Sequence, residues 1–247
     1  MGLLSIYIPT WNRPHLLDRL LASIEPQMCD EVDVFVSVNK SDKPYNIPSW
    51  VKHRELRRNI GGDPNICVGP TLVNGTYCWV IGDDEQMLPG AIESTLQACR
   101  DGAGLILQPS GKHNIGVALG STYPTYATFC DALIGANAGW VIAAHTLISA
   151  TTFQRDAYDV ALALQKMDTM YGFHYGMLAN LMFKPVHVLP QPTMLYGRES
   201  SVFMHSKEIV DEHMSAYPKV IHDIFDWVGA VTGYLIPHDE FKRGFDT

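Results

Sequence analysis

Short apolar runs alternate with helically spaced leucines through the first 110 residues of the chain. Residues 3–8 are almost continuously apolar, which is typical of a strand that is covered on both faces. Residues 15–24 carry leucines at helical spacing, and residues 32–38 form a second apolar run that is rich in valine. This alternation predicts an α/β fold, a three-layer α/β/α sandwich with a mostly parallel central sheet.

The same pattern continues to residue 108 and then becomes less regular. Further strands are predicted at residues 53–58, 77–81 and 105–108, and further helices at residues 63–73 and 89–100, with Asp63 as a helix cap and Pro64 in the first turn. Beyond them we expect a loop at residues 110–124, a strand at 139–148, two helical pieces within 152–183, an irregular stretch at 190–206 and closing helices at 207–235. No linker divides the chain, so we predict one domain over residues 1–247.

Polar segments follow the predicted strands of the first half. In a parallel α/β sheet the ligand lies beyond the carboxyl ends of the strands. We therefore expect four segments to converge on one crevice: residues 10–13, 39–43, 59–65 and 83–85.

Composition excludes several classes of protein. A chain with 47% hydrophobic and 18% charged residues can bury a core, so it is not disordered. The net charge of −8 disfavours a protein that holds nucleic acid through its phosphates. No apolar run is long enough to span a membrane, and the first residues read as a strand rather than a leader. Five scattered cysteines without a C-x-x-C pair predict buried thiols in a reduced, cytoplasmic setting.

The strongest local signal is an acidic cluster at the end of the predicted strand 77–81. Asp83, Asp84 and Glu85 follow that strand in succession. Adjacent carboxylates repel one another, and a bound Mg²⁺ or Mn²⁺ would remove that cost. The alternative is a solvated acidic turn in front of the next helix, since acids favour helix N-termini.

Four segments together resemble the family 2 glycosyltransferases of the GT-A fold, in the order and spacing of that family. They are residues 5–13, 34–42, 59–65 and 79–85, so the resemblance spans about residues 3–110. It implies a nucleotide-sugar-binding half up to about residue 110 and an acceptor-binding half at residues 111–247, closed by C-terminal helices.

The resemblance also implies roles for individual residues. Asn39 stands where the family often has an aspartate that reads the base, and an amide can donate as well as accept. Asp83, Asp84 and Glu85 match the DxD-type motif that contacts ribose and metal. The residues implied to bind the nucleotide are Pro9, Thr10, Asn12, Arg13, Asn39, Asn59, Asp63, Asn65, Asp83 and Asp84.

The second half contains the candidates for a general base and for a further metal ligand. Inverting transfer to a hydroxyl needs a general base, and in related enzymes it follows the metal motif by roughly 80–100 residues, which points to Asp168. His174 and Asp156 are weaker alternatives, and each of the three also reads as an ordinary helix residue. His205 is a possible further metal ligand, with a surface histidine as the simpler reading.

We therefore predict a cytoplasmic, metal-dependent glycosyltransferase. It would move a sugar, with inversion, from a nucleoside diphosphate donor to a saccharide, lipid-linked or other hydroxyl acceptor, and a UDP-sugar is the first guess. One alternative is a non-catalytic module that binds a nucleotide sugar or a partner. A nucleotidyltransferase is disfavoured because residues 9–14 lack the glycines of a phosphate loop, and a nucleic-acid substrate is disfavoured by charge.

Overall fold

An eight-stranded mixed sheet runs through the centre of the computed structural model, which describes residues 2–109, 117–135, 148–167, 172–178, 180–195 and 197. The strands are β1 (Leu4–Thr10), β2 (Val32–Val38), β3 (Lys52–Glu55), β4 (Tyr77–Val80), β5 (Gln86–Met87), β6 (Leu105–Leu107), β7 (Thr122–Tyr123), β8 (Thr151–Gln154), β9 (Val186–Val188) and β10 (Met194–Leu195). The helices are α1 (Pro14–Ile24), α2 (Gly62–Cys67), α3 (Ala91–Arg100), α4 (Tyr126–Gly135), α5 (Val160–Gln165) and α6 (Gly172–Leu178). Single 3₁₀ turns lie at Glu25–Gln27, Gly69–Thr71, Ile148–Ala150 and Arg155–Ala157.

The sheet has a parallel half and a mixed half. Its strand order is β3-β2-β1-β4-β8-β6-β9-β7, and the first four strands are all parallel. Strand β8 is antiparallel to both β4 and β6, and β7 is antiparallel to β9. Strands β5 and β10 form a separate antiparallel pair beside the sheet. The carboxyl ends of β1, β2, β3 and β4 consequently meet at one edge.

Two hydrophobic clusters cover the two faces of the sheet, which confirms the three-layer expectation. Successive residues of a strand point to opposite faces, so Ile6 and Ile8 pack with α1 and α3 while Tyr7 packs on the other face. That other face carries α4, α5 and α6. Among the described residues no helix is long and apolar enough to cross a membrane.

The strand predicted at residues 53–58 ends earlier, at Glu55, and begins at Lys52. The helix predicted at 63–73 ends at Cys67, and Pro70, which has no N–H to donate, lies in the 3₁₀ turn that follows. Asp63 is not its cap, because the helix is preceded by Gly61 with a φ of 90°. The helix predicted from residue 89 begins at Ala91, after Gly90 with a φ of 81°.

The larger errors fall in the second half. Residues 151–154, where a helix was expected to begin, form β8, because this Thr-Thr-Phe-Gln segment fills the gap between β4 and β6. Short strands β7 and β10 occur within the segments predicted as loop and irregular. Nearly all of the predicted strand 139–148, and the predicted helices at 207–235, lie outside the described residues. Cys29 is exposed, unlike the other four cysteines, and all five are free thiols.

Candidate functional site

Hydrogen bonds join the four predicted polar segments at the carboxyl ends of the parallel strands. The segment of residues 59–65 is joined to the others by its hydrogen bonds with Asn39. The Asn39 N–H donates to the carbonyl of Thr10 over 2.8 Å, which joins the segments after β1 and β2. Thr10 Oγ1 donates to Asp83 Oδ2 over 2.5 Å, which joins the segments after β1 and β4. The predicted convergence on one crevice is therefore present in the fold.

Asp83 is a buried carboxylate that contacts Arg13 and Thr10 at this crevice. Its Oδ1 lies 2.5 Å from Arg13 Nη2, and its Oδ2 accepts from Arg13 Nε over 3.2 Å and from Thr10. Burial raises the pKa of Asp83 to about 6, although Arg13 and Thr10 act in the opposite direction. The same arrangement includes Tyr45, whose hydroxyl lies 3.0 Å from Thr10 Oγ1 and accepts from the Arg13 N–H over 3.0 Å.

Glu85 is held on the opposite side of the acidic segment by neutral donors. Ser149 Oγ lies 3.2 Å from Glu85 Oε1, and the Gly197 N–H donates to Glu85 Oε2 over 3.0 Å. Burial raises the pKa of Glu85 to about 8, and the negative charge of Asp84 adds to the increase. A nearby cation would stabilise the ionised form of Glu85, because its positive charge offsets the effects of burial and of Asp84 on the pKa.

The missing side chain of Gly82 leaves open space beside the acidic segment. A Cβ added to Gly82 would lie 3.0 Å from Asp84 Oδ1 and 3.5 Å from Glu85 Oε1, so both carboxylates border the same space. Carboxylate oxygens are the ligands that Mg²⁺ and Mn²⁺ prefer. Among the described residues no group of three His, Cys, Asp or Glu side chains is arranged for a metal, and Asp83 is directed toward Arg13. The pair Asp84 and Glu85 is thus the part of the predicted set that fits the ion.

Asn39 and Asn59 form an amide network beside the crevice. Asn39 Nδ2 donates to Asn59 Oδ1 and to the Gly61 carbonyl, each over 2.9 Å, and Asn39 Oδ1 accepts from the Ile60 N–H over 2.9 Å. The Gly61 N–H donates to Asn59 Oδ1 over 2.8 Å. Asn39 is only 2% exposed, whereas Asn59 is exposed.

Asn12 joins the segment after β1 to the segment after β2 by hydrogen bonds. Its Oδ1 accepts from Ser41 Oγ over 2.8 Å and from the Asp42 N–H over 2.9 Å. Trp11 Nε1 donates to the Lys40 carbonyl over 3.2 Å. Asn12 and Lys40 are the two non-glycine residues of the described chain with positive φ, 54° and 30°, so the backbone strain is concentrated at this contact.

The remaining predicted nucleotide residues lie beneath or beside the crevice. Asn65 is 1% exposed, and its Oδ1 accepts from Ser37 Oγ over 2.7 Å and from the Tyr7 hydroxyl over 3.1 Å. This placement ties α2 to β1 and β2 and suits a supporting role. Pro9 is half-buried on β1, and Asp63 is half-buried in the first turn of α2, where burial raises its pKa.

The candidates for a catalytic base fare differently. Asp168 and His205 lie outside the described residues. His174 is 4% exposed within α6, with its ring at right angles to that of Phe173. Asp156, the other weaker alternative, lies at the edge of the sheet opposite Asp83, because the neighbouring Arg155 N–H bonds to Thr76 at the amino end of β4.

Ser149 and Tyr45 are site residues that sequence reasoning missed. Ser149 accepts from the Gly82 N–H over 3.0 Å and contacts Glu85, yet it lies 64 residues further along the chain. A single serine or tyrosine in a polar segment carries no local signal. Only the antiparallel entry of β8 beside β4 brings Ser149 to the acidic segment.

No protein-family profile matches this sequence. Among curated proteins, the abequosyltransferase RfbV of Salmonella typhimurium is 31% identical over 98 residues, which cover 34% of this chain and 29% of that protein. The GalNAc(5)-diNAcBac-PP-undecaprenol beta-1,3-glucosyltransferase of Campylobacter jejuni is 26% identical over 111 residues, 41% of this chain and 36% of that protein. The matches therefore span about a third of the length of these relatives.

Solved structures show the same fold at low identity. TarS 1–349 of S. aureus in complex with UDP-GlcNAc has a TM-score of 0.59 at 14% identity, covering 87% of this chain and 66% of that one. Glucosyl-3-phosphoglycerate synthase of Mycobacterium tuberculosis, with Mn²⁺, UDP and phosphoglyceric acid, has 0.58 at 13% identity, with 92% and 79% covered. The mannosyltransferase PcManGT of Pyrobaculum calidifontis, with GDP-Man and Mn²⁺, has 0.55 at 12% identity, with 89% and 64% covered. The resemblance to GT-A glycosyltransferases and the α/β fold are thereby confirmed.

Proposed function

We propose that this chain, which has the fold of GT-A glycosyltransferases, transfers a sugar from a nucleoside diphosphate donor to an acceptor hydroxyl. The observation that carries the proposal is the joining of Thr10, Arg13 and Asp83 at the carboxyl ends of β1 and β4. Asp83 is fully buried, and it orients the partly exposed Arg13 guanidinium, which is pre-organised to pair with an anionic donor. The relatives named as glycosyltransferases support the same reaction class.

The metal site of the proposal consists of Asp84 and Glu85. Both carboxylates border the space above Gly82, and both are hard oxygen donors. A divalent ion at this place would neutralise charge on the diphosphate leaving group. Two proteins with this fold have been solved as complexes with Mn²⁺, which supports the choice of metal.

The chain's own residues would divide the remaining work. Asp83 pairs with Arg13, so Asp83 is proposed to position Arg13 and Thr10 in the nucleotide site rather than to hold the metal. Asn12 holds the segments after β1 and β2 together around the nucleotide. Asp168 stays the predicted general base for the acceptor hydroxyl, with inversion as the predicted outcome.

A saccharide or lipid-linked acceptor agrees with the undecaprenol-linked substrate in the name of the Campylobacter jejuni relative. A single domain and a cytoplasmic setting stay predictions. The fold does not select the base, because it occurs with UDP-GlcNAc and with GDP-Man alike.

Thermal unfolding with nucleoside diphosphates tests the proposal. We would measure the unfolding of the wild type and Asp84→Asn with UDP, GDP, CDP and dTDP, each with and without Mn²⁺. A ligand that binds only the native state stabilises it by about 2.7 kcal/mol at a hundred times its Kd. We expect a Mn²⁺-dependent shift for at least one nucleotide in the wild type, and a loss of the Mn²⁺ dependence in Asp84→Asn.

The matched control is Asp18→Asn, which removes an exposed acid from α1 and should leave the shift unchanged. No shift of the wild type with any of the nucleotides would overturn the donor site. A shift that is the same with and without Mn²⁺ would overturn the metal site alone.

The alternative function is a module that binds a nucleotide sugar without turnover. Release of nucleoside diphosphate from the bound sugar nucleotide, with a panel of saccharide and polyprenyl-linked acceptors, separates the two functions. Turnover would exclude the binding module, and tight binding without turnover would favour it.

A further inference from the structure

Asp83 and Glu85 lie two residues apart, yet the groups that hold their carboxylates differ in charge. Asp83 pairs with the Arg13 guanidinium. Glu85 is held by two neutral groups, the Ser149 hydroxyl at Oε1 and the Gly197 N–H at Oε2. Within the described ranges no lysine or arginine pairs with Glu85. Neutral donors orient a carboxylate without cancelling its charge, so the ionised Glu85 remains able to attract a cation.

The Ser149 hydroxyl links the backbone at the start of the acidic segment to the carboxylate at its end. Its Oγ accepts from the Gly82 N–H over 3.0 Å, so its own hydrogen is available to Glu85 Oε1, 3.2 Å away. Ser149 is only 1% exposed, and it lies in the turn that directly precedes β8. Because β8 pairs with β4, the sheet itself fixes the position of this hydroxyl.

The chain around β10 supplies the second donor. Residues 194 and 195 pair with β5, which begins immediately after Glu85, and Met194 is fully buried. Two residues further on, the Gly197 N–H donates to Glu85 Oε2 over 3.0 Å. A Cβ at position 197 would collide with the Asp84 carbonyl oxygen, so only glycine brings this N–H so close to the acidic segment.

We propose that Ser149 and Gly197 are positioning residues for a divalent cation, because they hold both oxygens of Glu85 for coordination beside Asp84. This inference rests on the proposed function, since it concerns the metal site of the same crevice. A carboxylate offers about four lone-pair directions, and the two donors occupy two of them. Fixing the long glutamate side chain before the ion arrives reduces the entropy that is lost when the ion binds. Groups that orient a metal ligand contribute about tenfold to hundredfold to metal affinity.

Manganese binding tests the proposal without any need for turnover. We would follow the electron paramagnetic resonance signal of free Mn²⁺ during titration of the protein, in the presence of UDP, GDP, CDP or dTDP. We expect Ser149→Ala and Gly197→Ala each to weaken the Mn²⁺ affinity about tenfold. Nucleotide affinity in EDTA should stay within about twofold of the wild type, because the Ser149 hydroxyl and the Gly197 N–H bond to Gly82 and Glu85.

A double-mutant cycle with Glu85→Gln separates positioning from a general loss of structure. If Ser149 acts through the Glu85 carboxylate, adding Ser149→Ala to Glu85→Gln should weaken the Mn²⁺ affinity by less than about twofold more. Gly197→Ala enters the same cycle and serves if Ser149→Ala does not fold. Thr151→Val is the matched control: it removes a buried hydroxyl of β8 that bonds to Met177 Sδ, so the Mn²⁺ affinity should not change.

The outcomes separate this inference from the proposed function. Unchanged Mn²⁺ affinity in both alanine variants, or an equal loss with and without the Glu85 carboxylate, would overturn the inference and leave the glycosyltransferase proposal standing. Nucleotide binding by a wild type that takes up no Mn²⁺ would overturn the metal site and this inference, but not the donor site. Failure to bind any of the four nucleotides, with or without Mn²⁺, would overturn the proposed function and the inference with it.

Discussion

The two halves of the central sheet use their polar side chains for different purposes. In the parallel half, β3-β2-β1-β4, charged and amide side chains lie on segments that leave the carboxyl ends of the strands. In the mixed half, neutral polar side chains are buried between elements: Gln108 Nε2 donates to Thr95 Oγ1 over 3.1 Å and to Thr152 Oγ1 over 2.9 Å. The first set faces a crevice, and the second ties α3 to the sheet.

Strand direction explains the difference. Parallel strands deliver all their outgoing segments to one edge, so polar residues that are distant in sequence meet there. Strand β8 runs in the opposite direction. Ser149, which precedes β8, therefore lies at the edge of the acidic segment, and Asp156, which follows β8, lies at the opposite edge. We therefore expect changes in the parallel half to alter nucleotide binding and changes in the mixed half to alter stability.

The largest expected effect belongs to Gln108→Ala in the mixed half. This variant removes two buried hydrogen bonds and leaves a cavity, so we expect a loss of about 3 kcal/mol in the free energy of unfolding. Nucleotide affinity should stay within about twofold of the wild type, because the Gln108 side chain bonds to Thr95 and Thr152 and to none of the four polar segments. Urea unfolding and nucleotide titration measure the two quantities. Gln97→Ala, on the exposed side of α3, is the control and should cost under about 0.5 kcal/mol.

The second effect is a dependence of stability on pH that arises in the acidic segment. Burial raises the folded-state pKa of Asp83 to about 6 and of Glu85 to about 8. Both pKa values exceed those of the unfolded chain, so the stability that these groups contribute is fully present below about pH 4 and is lost as the pH rises through 6 and 8. Between pH 6.5 and pH 8.5 we expect the metal-free protein to lose about 2 kcal/mol of stability.

Urea unfolding across that pH range measures this loss, and Glu85→Gln supplies the comparison. Because the amide does not titrate, the variant should have a shallower pH dependence above pH 6. An equally steep decline in Glu85→Gln would show that the dependence originates elsewhere.

The third effect is expected for Asn39→Asp in the parallel half. The carboxylate would oppose two buried acceptors, so we expect about 1.5 kcal/mol of destabilisation and a weaker affinity for every nucleotide. Calorimetric titration together with chemical unfolding checks both. Unchanged affinity for all nucleotides would break the comparison, since it would mean that the 59–61 segment does not border the binding site.

The smallest effect is expected for Thr10→Val. Valine has nearly the shape of threonine but no hydroxyl, so Asp83 loses one hydrogen bond while the Arg13 ion pair remains. We expect about 1 kcal/mol of destabilisation and about a tenfold weaker nucleotide affinity. Thr71→Val, which removes an exposed hydroxyl bonded to a nearby carbonyl, is the matched control and should not change affinity. Equal losses of affinity in both variants would contradict a specific role of the Thr10 hydroxyl in nucleotide binding.

Much of the first half was predictable because its signals are local. The run at residues 3–8 and the spacing of Leu17, Leu20 and Ile24 are patterns that burial itself imposes, and the structure places both in the core. The acidic cluster could be located at the end of β4 for the same reason. The different partners of Asp83 and Glu85 could not be predicted. Asp83 pairs with Arg13 and Glu85 contacts Ser149, and both partners lie far from the acidic cluster in sequence.

The second half was harder because its strands depend on partners. Residues 151–154 have side chains that suit either a strand or a helix end. They form a strand because they pair with β4 on one side and with β6 on the other. The position of Asp156, a weaker alternative for the base, at the edge opposite Asp83 was not visible in the sequence, because the sequence does not reveal the direction of β8.

The sequence by itself determined the α/β architecture, the parallel arrangement of the first four large strands and the four polar segments at their ends, because periodicity and turn residues are local properties. The tertiary structure alone decided which polar atoms remain available to a ligand. Asn39 and Asn59 are the same residue type in neighbouring polar segments, yet Asn39 is spent on internal hydrogen bonds and is only 2% exposed, whereas Asn59 is exposed. That difference depends on where Ile60 and Gly61 place their backbone donors and acceptors, and such placement exists only once the strands have paired.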